Sequence, residues 1–267
     1  MRAHICLALL LCACGPKEPP PPPPAPPVDP LAVPPSVGAP PDWIPPAAET
    51  ATLSNGADAW FVVQDGLPLV SVRLWVPGGT LAGPEKHPGL VALTDNLLMH
   101  GAGDRDGAAF AAHAEQLAID LDVGTWERGT VVSLDCHADR LDEGLALMAD
   151  VVLRPRFARA DVNRERDLQV SEIERALDDP RTVASWVSYA QWYGEGHPSA
   201  IPGVGTIKGL KGVSEKTVRA NWARRASPAG ARFVVAGAVD PAGLASQLDT
   251  HFGSWDGEPE GEAFTLP

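Results

Sequence analysis

Between Glu49 and Trp255 the chain mixes two hydrophobic rhythms, one repeating every second residue and one every third or fourth. Ala51–Leu53 and Ala59–Val63 read as two short strands about a turn at Ser54-Asn55-Gly56. Leu69–Val76 alternates as a third strand after a turn at Asp65-Gly66. At Gly89–Gly101 the rhythm changes: Leu90, Leu93, Leu97 and Leu98 recur at helical spacing, and Gly101 marks the stop. Asp106–Leu117 predicts a second helix, and Ala118–Val123 and Thr130–His137 predict strands about a turn through Gly124 and Gly129. In the second of these, Val132, Leu134 and Cys136 share a face, so Cys136 reads as a small buried hydrophobe and His137 points the other way.

The rest is mostly helical. Arg140–Leu153 places Leu141, Leu145 and Met148 at core spacing and ends at Arg154-Pro155. Asp161–Leu177 predicts the longest helix, broken at Asp178-Asp179-Pro180. Thr182–Tyr193 sets Trp186, Tyr189 and Tyr193 at helical spacing, an aromatic stripe expected in the core. Gly194–Gly205 reads as a loop. Ser214 caps a helix running to Arg225, Arg232–Gly237 is a strand, and Asp240-Pro241 opens a last helix with Leu244, Leu248 and Phe252 facing inward. Strands joined by tight turns, then helices, then a late strand and helix predict an α+β domain, with helices packed on a mainly antiparallel sheet.

Composition changes this picture at the N-terminus. Residues 1–14 form a targeting segment: Arg2 precedes the short apolar run Ile5–Ala13, which is too brief to span a bilayer. Leu11-Cys12-Ala13-Cys14 resembles the bacterial lipobox, which implies lipidation of Cys14 and a place in the bacterial cell envelope, facing the periplasm or at the outer membrane. Residues 15–48 follow as a proline-rich tether with an unbroken run at Pro19–Pro24. Proline fixes φ and lacks a donor, so this segment extends at about 3.1 Å per residue and is no domain. Residues 49–257 are the globular part, and 258–267 read as a linker or tail. Cys136 is the one cysteine after Cys14, so no disulfide forms within the domain.

The formal net charge is −13. Before Glu49, Arg2 and Lys17 stand against Glu18, Asp29 and Asp42, so the acidity belongs to the globular part. Such a surface repels nucleic acid and anionic headgroups. A solvated surface accounts for it, and attraction of basic peptides is the functional alternative.

Three polar or small positions give the helix at Gly89–Gly101 its interest. Ala92, Asp95 and Asn96 stand three and four residues apart and share one face. Together with Pro88-Gly89-Leu90, Leu93, Leu97-Leu98 and Gly101, the stretch resembles the pitrilysin/insulinase family of zinc peptidases. In active members the frame reads His-x-x-Glu-His, two imidazoles holding zinc and the carboxylate handling the water proton. Here the imidazole positions are Ala92 and Asn96, and the carboxylate position is Asp95. Downstream, Glu165–Glu172 is similar to the family segment whose last glutamate is the third zinc ligand, which singles out Glu172. His197-Pro198 and Phe252-Gly253-Ser254-Trp255 also match, and the resemblance covers roughly residues 49–257.

The departures decide what the resemblance implies for chemistry. Losing two of about four shared ligands removes on the order of four decades of zinc affinity, so neither metal nor catalytic residues are expected. His100, four residues after Asn96, reads as a last-turn histidine at the negative end of the helix dipole, and His87 falls in the loop before the helix. The expectation is a lipid-anchored, non-catalytic family homologue made of one such domain. Its partners would be a peptide or unfolded polypeptide, or an active second pitrilysin-like subunit or half. A zinc endopeptidase with altered ligands and a structural envelope lipoprotein are the alternatives.

Overall fold

The structure is a computed structural model that describes residue 38, residues 44–84 and residues 86–257. The targeting segment with Cys14, most of the tether and the tail at 258–267 lie outside the described residues. Everything below concerns the unit Pro46–Pro267.

In chain order the elements are β1 (Glu49–Thr52), β2 (Asp58–Val63), β3 (Leu69–Pro77), α1 (Leu90–Asn96), β4 (Gly101–Ala102), β5 (Arg105–Asp106), α2 (Gly107–Gln116), β6 (Asp120–Thr125) and β7 (Gly129–His137). There follow α3 (Leu141–Leu153), α4 (Arg159–Leu177), α5 (Pro180–Tyr193), α6 (Ile207–Leu210), α7 (Glu215–Arg225), β8 (Arg232–Gly237) and α8 (Pro241–Phe252). Six strands make one sheet in the order β1-β2-β8-β3-β7-β6, and β4 pairs with β5 apart from it. Only the β2–β8 pairing within the large sheet is parallel. The α+β class with a mainly antiparallel sheet is therefore the observed one.

Strands β2 and β3 are neighbours in sequence but not in the sheet, because β8 returns between them. A parallel partner needs a long crossover, and the whole helical middle of the chain supplies it. Phe233 and Val235 on β8 are fully buried, and α8 folds back to set Phe252 edge-on against Phe233 at 4.9 Å. The strand stops at Gly237, whose φ of +140° and approach to the Leu69 carbonyl leave no room for a Cβ.

One face of the sheet carries the core. Val70, Val72, Leu74 and Val76 of β3 alternate inward beside Phe61, Val132 and Leu134. The other face is mixed: Trp60 and Val234 are exposed there, Arg73 on β3 pairs with Asp135 of β7 at 2.8 Å, and Arg232 lies over the Trp60 ring at 4.2 Å. Cys136 is buried on the inner face as its alternation implies, and burial pushes its thiol up to about 11. A thiol raised in this way carries little of the thiolate that acts as nucleophile.

Helix α5 departs from the reading of its pattern. Its aromatic stripe is not in the core: none of its 14 residues is buried, Tyr189 and Tyr193 are exposed, and Trp192 is 83 % exposed. Periodicity tells which residues share a stripe but not what lies opposite. Here α5 packs on α4 and on the turn Pro198–Ala200, with no further layer over it among the described residues. The two kinds of aromatic site should therefore respond differently to truncation. Phe233→Ala is expected to cost about 3–5 kcal/mol in urea unfolding, whereas Trp192→Ser should stay within about 0.5 kcal/mol.

Candidate functional site

Glycine and a buried amide set the start of α1. Gly89 has φ +95°, and a Cβ there would meet the Val204 carbonyl at 2.5 Å. Gln169 of α4 reaches across and donates its amide to the Gly89 carbonyl at 3.1 Å and the Val204 carbonyl at 2.8 Å. After Asn96 the helix tightens into a 3₁₀ turn at Leu97–Met99, and Gly101 with φ +113° ends it. Leu90, Leu93, Leu97 and Leu98 are all buried, so the apolar spacing that predicted the helix also fastens it.

Helix α4 lies along the same element. Glu165 meets His100 at 3.6 Å beyond the end of α1, while Gln169 meets Gly89 before its start. Glu172 stands seven residues from Glu165 and three from Gln169, so spacing puts it on the same stripe of α4. Its side chain is exposed and makes no hydrogen bond or ion pair among the described residues. Ala92 is half-buried and Asn96 is exposed on α1.

Asp95 is the position that tertiary structure changes most. It is fully buried and both oxygens are occupied. Oδ2 accepts hydrogen bonds from the hydroxyls of Thr130 at 2.6 Å and Thr125 at 3.0 Å. Oδ1 accepts from Nη2 of Arg225, the last residue of α7, in an ion pair whose side chains are 2 % and 0 % exposed. Arg225 is itself fully engaged: Nη1 donates to the Gly78 carbonyl at 2.9 Å and to Thr130 at 3.1 Å, and Nε donates to Asn221 at 3.1 Å. Its guanidinium carbon also sits 5.3 Å from the centroid of the Trp222 ring. A general base needs a free lone pair within reach of the water it deprotonates. The Asp95 carboxylate is poorly placed for this: three of its four acceptor sites are taken by Arg225, Thr125 and Thr130, and the group is fully buried.

The donor set does not fit zinc. Ala92 has no lone pair, Asn96 offers a neutral amide, and Glu172 is a lone carboxylate. Among the described residues no group of three or more His, Cys, Asp or Glu side chains is placed to hold a metal. His100 has other partners, with Nδ1 2.9 Å from Arg164 and Nε2 near Glu165. His87 is tied by Nδ1 to the Gly209 carbonyl at 2.9 Å. Helix α1 thus packs against α4, and Asp95 is held in a structural ion pair. Sequence reasoning missed Thr125, Thr130 and Arg225. An arginine in a last helical turn reads as a dipole partner, and nothing local marks a carboxylate 130 residues earlier as its mate.

Removing one partner of a buried, hydrogen-bonded pair strands the other in low dielectric. Asp95→Ala and Arg225→Met are each expected to destabilise the domain by about 3–5 kcal/mol in urea unfolding. The double replacement Asp95→Leu with Arg225→Met should cost well below the sum of the two single losses.

Comparisons with known proteins follow from this geometry. Residues 63–198 match the family model described as insulinase, peptidase family M16. An uncharacterised zinc protease of Mycobacterium leprae is 29 % identical over 196 residues, covering 72 % of this chain and 44 % of that protein. Subunit 1 of the mitochondrial cytochrome b-c1 complex of Caenorhabditis elegans is 25 % identical over 175 residues, 65 % of this chain and 36 % of that protein. The chain therefore spans less than half the length of these relatives. Among solved structures, a peptidase M16 inactive domain from Pseudomonas fluorescens superimposes with a TM-score of 0.75 at 23 % identity, covering 82 % of this chain and 53 % of that one. The periplasmic protease PqqL of Escherichia coli gives 0.74 at 17 % identity, over 84 % of this chain and 26 % of its own. With half of its length matched to the family model on a shared fold, this chain belongs to the insulinase family of peptidases, M16.

Proposed function

We propose that this chain is a non-catalytic M16 homologue, anchored by lipid on Cys14 at the bacterial envelope, that binds an extended peptide or an active pitrilysin-like partner. One observation carries the non-catalytic part: Asp95, the carboxylate of the frame, is buried against Arg225, Thr125 and Thr130. The loss of imidazoles at Ala92 and Asn96 is a second, independent support.

Binding needs no metal. Among the described residues, strand β6 is the last strand of the sheet, paired on one side with β7 alone. Its other side presents backbone donors and acceptors to which an extended segment adds as a further strand. The inward side chains of β6 run Leu121, Val123 and Thr125, and Thr125 touches Asp95, so a segment on this edge lies beside the altered frame. A partner subunit is supported by relatives that are named as subunits, among them the mitochondrial-processing peptidase subunit beta of Caenorhabditis elegans. The net charge of −13 argues for polypeptide partners and against nucleic acid.

Purified chain is expected to carry far less than one zinc per molecule by elemental analysis and to show no chelator-sensitive cleavage of an unfolded peptide. Stoichiometric zinc with turnover would replace this reading by that of an altered-ligand endopeptidase. Installing Ala92→His with Asn96→His should raise zinc affinity by several decades, with Glu172 as the third donor, yet leave hydrolysis absent because Asp95 stays paired to Arg225. For the anchor, metabolic labelling with a fatty acid should mark the wild-type chain in bacteria and be lost in Cys14→Ala.

A further inference from the structure

A groove of about 1350 Å³ lies between the end of α3, the loop at 155–158, the outer side of α7 and the chain after α8. Phe157, Trp222 and Trp255 are buried among its lining residues. On a chain of net charge −13 this groove is rich in arginine, with Arg154, Arg156, Arg159 and Arg219 all lining it. Two of them have carboxylate partners, Arg154 with Asp150 and Arg219 with Glu215 at 2.8 Å. The other two do not. Among the described residues the Arg156 guanidinium donates only to the Asp104 carbonyl, at 3.3 Å, and the Arg159 side chain makes no hydrogen bond or ion pair. Both are exposed. Arg159 is also the first residue of α4, where a cation opposes the helix dipole and Ala158 supplies no side-chain cap.

The loop that carries Arg156 is fixed in an unusual shape. Phe157 has φ +42°, which is rare for a bulky residue. Arg219 donates to the Arg156 and Pro155 carbonyls, and its guanidinium carbon lies 5.8 Å from the centroid of the Phe157 ring. A conformation of this kind persists only where its surroundings over-determine it. The chain after α8 is fastened to the same groove. The Trp255 indole donates to the Ala226 carbonyl at 3.1 Å, and the Ser227 hydroxyl donates to the Gly257 carbonyl. Trp255 and Asp256 are themselves lining residues, and from there the sequence continues Glu258-Pro259-Glu260-Gly261-Glu262.

We infer that this groove is a docking site for an acidic extended segment, and that its occupant is residues 258–262 of this chain, whose glutamates pair with Arg156 and Arg159. Pro259 fixes its own φ and pushes Glu258 toward extended backbone, and in an extended run Glu258, Glu260 and Glu262 fall on one side. Arginine forks take such carboxylates through charge-assisted hydrogen bonds. Two arguments favour this segment over an acidic polypeptide from elsewhere. The net acidity of the chain repels such a partner, whereas a segment attached at Gly257 needs no encounter. Attachment also supplies an effective concentration on the order of millimolar, so an affinity in that range fills the groove. The docked segment ties the chain after α8 to the start of α4, independently of the proposed binding at β6.

The test introduces Arg156→Lys with Arg159→Lys into the full chain and applies a zero-length carbodiimide, which couples an amine only to a carboxylate in contact with it. Isotope-labelled and unlabelled chains are mixed in the presence of an oligoglutamate peptide, and mass spectrometry maps each coupled pair. The introduced amines are expected to couple to Glu258, Glu260 or Glu262 of their own chain, with a yield falling about tenfold near 1 M salt, where the screening length is about 3 Å. In a second measurement, Arg156→Gln with Arg159→Gln should let a glutamate-specific protease cut the segment about fivefold faster than in the native chain. Circular dichroism confirms that each variant is folded. Coupling between chains makes a second copy the occupant, coupling to the oligoglutamate alone makes it an acidic partner, and coupling to neither leaves the segment outside the groove. Each of these results, or a cleavage rate unchanged by the glutamine variant, overturns the inference.

Discussion

The buried pair of Asp95 and Arg225 is the constraint around which this domain is arranged. It joins α1 to the end of α7, and through Thr125, Thr130 and Gly78 it also joins β6, β7 and the end of β3. A desolvated charge is costly unless its partner and hydrogen bonds are in place. Here Asn221, Trp222 and the two threonines complete the set, so the pair is tolerated and each element that supplies a partner is held in register. The position that would do acid–base chemistry in the family frame has become part of the framework.

That arrangement explains how the helical frame holds without imidazoles at positions 92 and 96. The apolar face of α1, with Leu90, Leu93, Leu97 and Leu98 buried, contributes packing that does not depend on what Ala92 or Asn96 carries. Gln169 fastens the start of the helix, and His100 with Glu165 and Arg164 fastens its end. Side chains that would grip a cation make up little of this packing, so they can be replaced while the backbone arrangement survives.

The surface beside α1 is of two kinds. Strand β6 pairs only with β7 among the described residues, and a cleft lined by Trp186 and Tyr189 opens beside the start of α1. Both lie next to the altered frame. Exposed aromatics on α5 belong to this surface rather than to the interior, which is why their helical spacing alone was misleading.

The order of strands and helices, the helix at Gly89–Gly101, the inward face of Thr130–His137 and the α+β class were legible in the chain, because each is written in local periodicity and in caps such as Ser214, Asp179 and Asp240. So was the absence of imidazoles from positions 92 and 96, which is a matter of residue identity alone. The insertion of β8 between β2 and β3 was not legible, since parallel pairing across the length of the domain leaves no local mark. Nor was the exposure of α5, because a stripe does not announce whether another layer covers it. The fate of Asp95 was decided entirely by tertiary structure. Its chemistry depends on Arg225, 130 residues away, and only the folded chain could bring a cation of opposite charge to that carboxylate and shut out water.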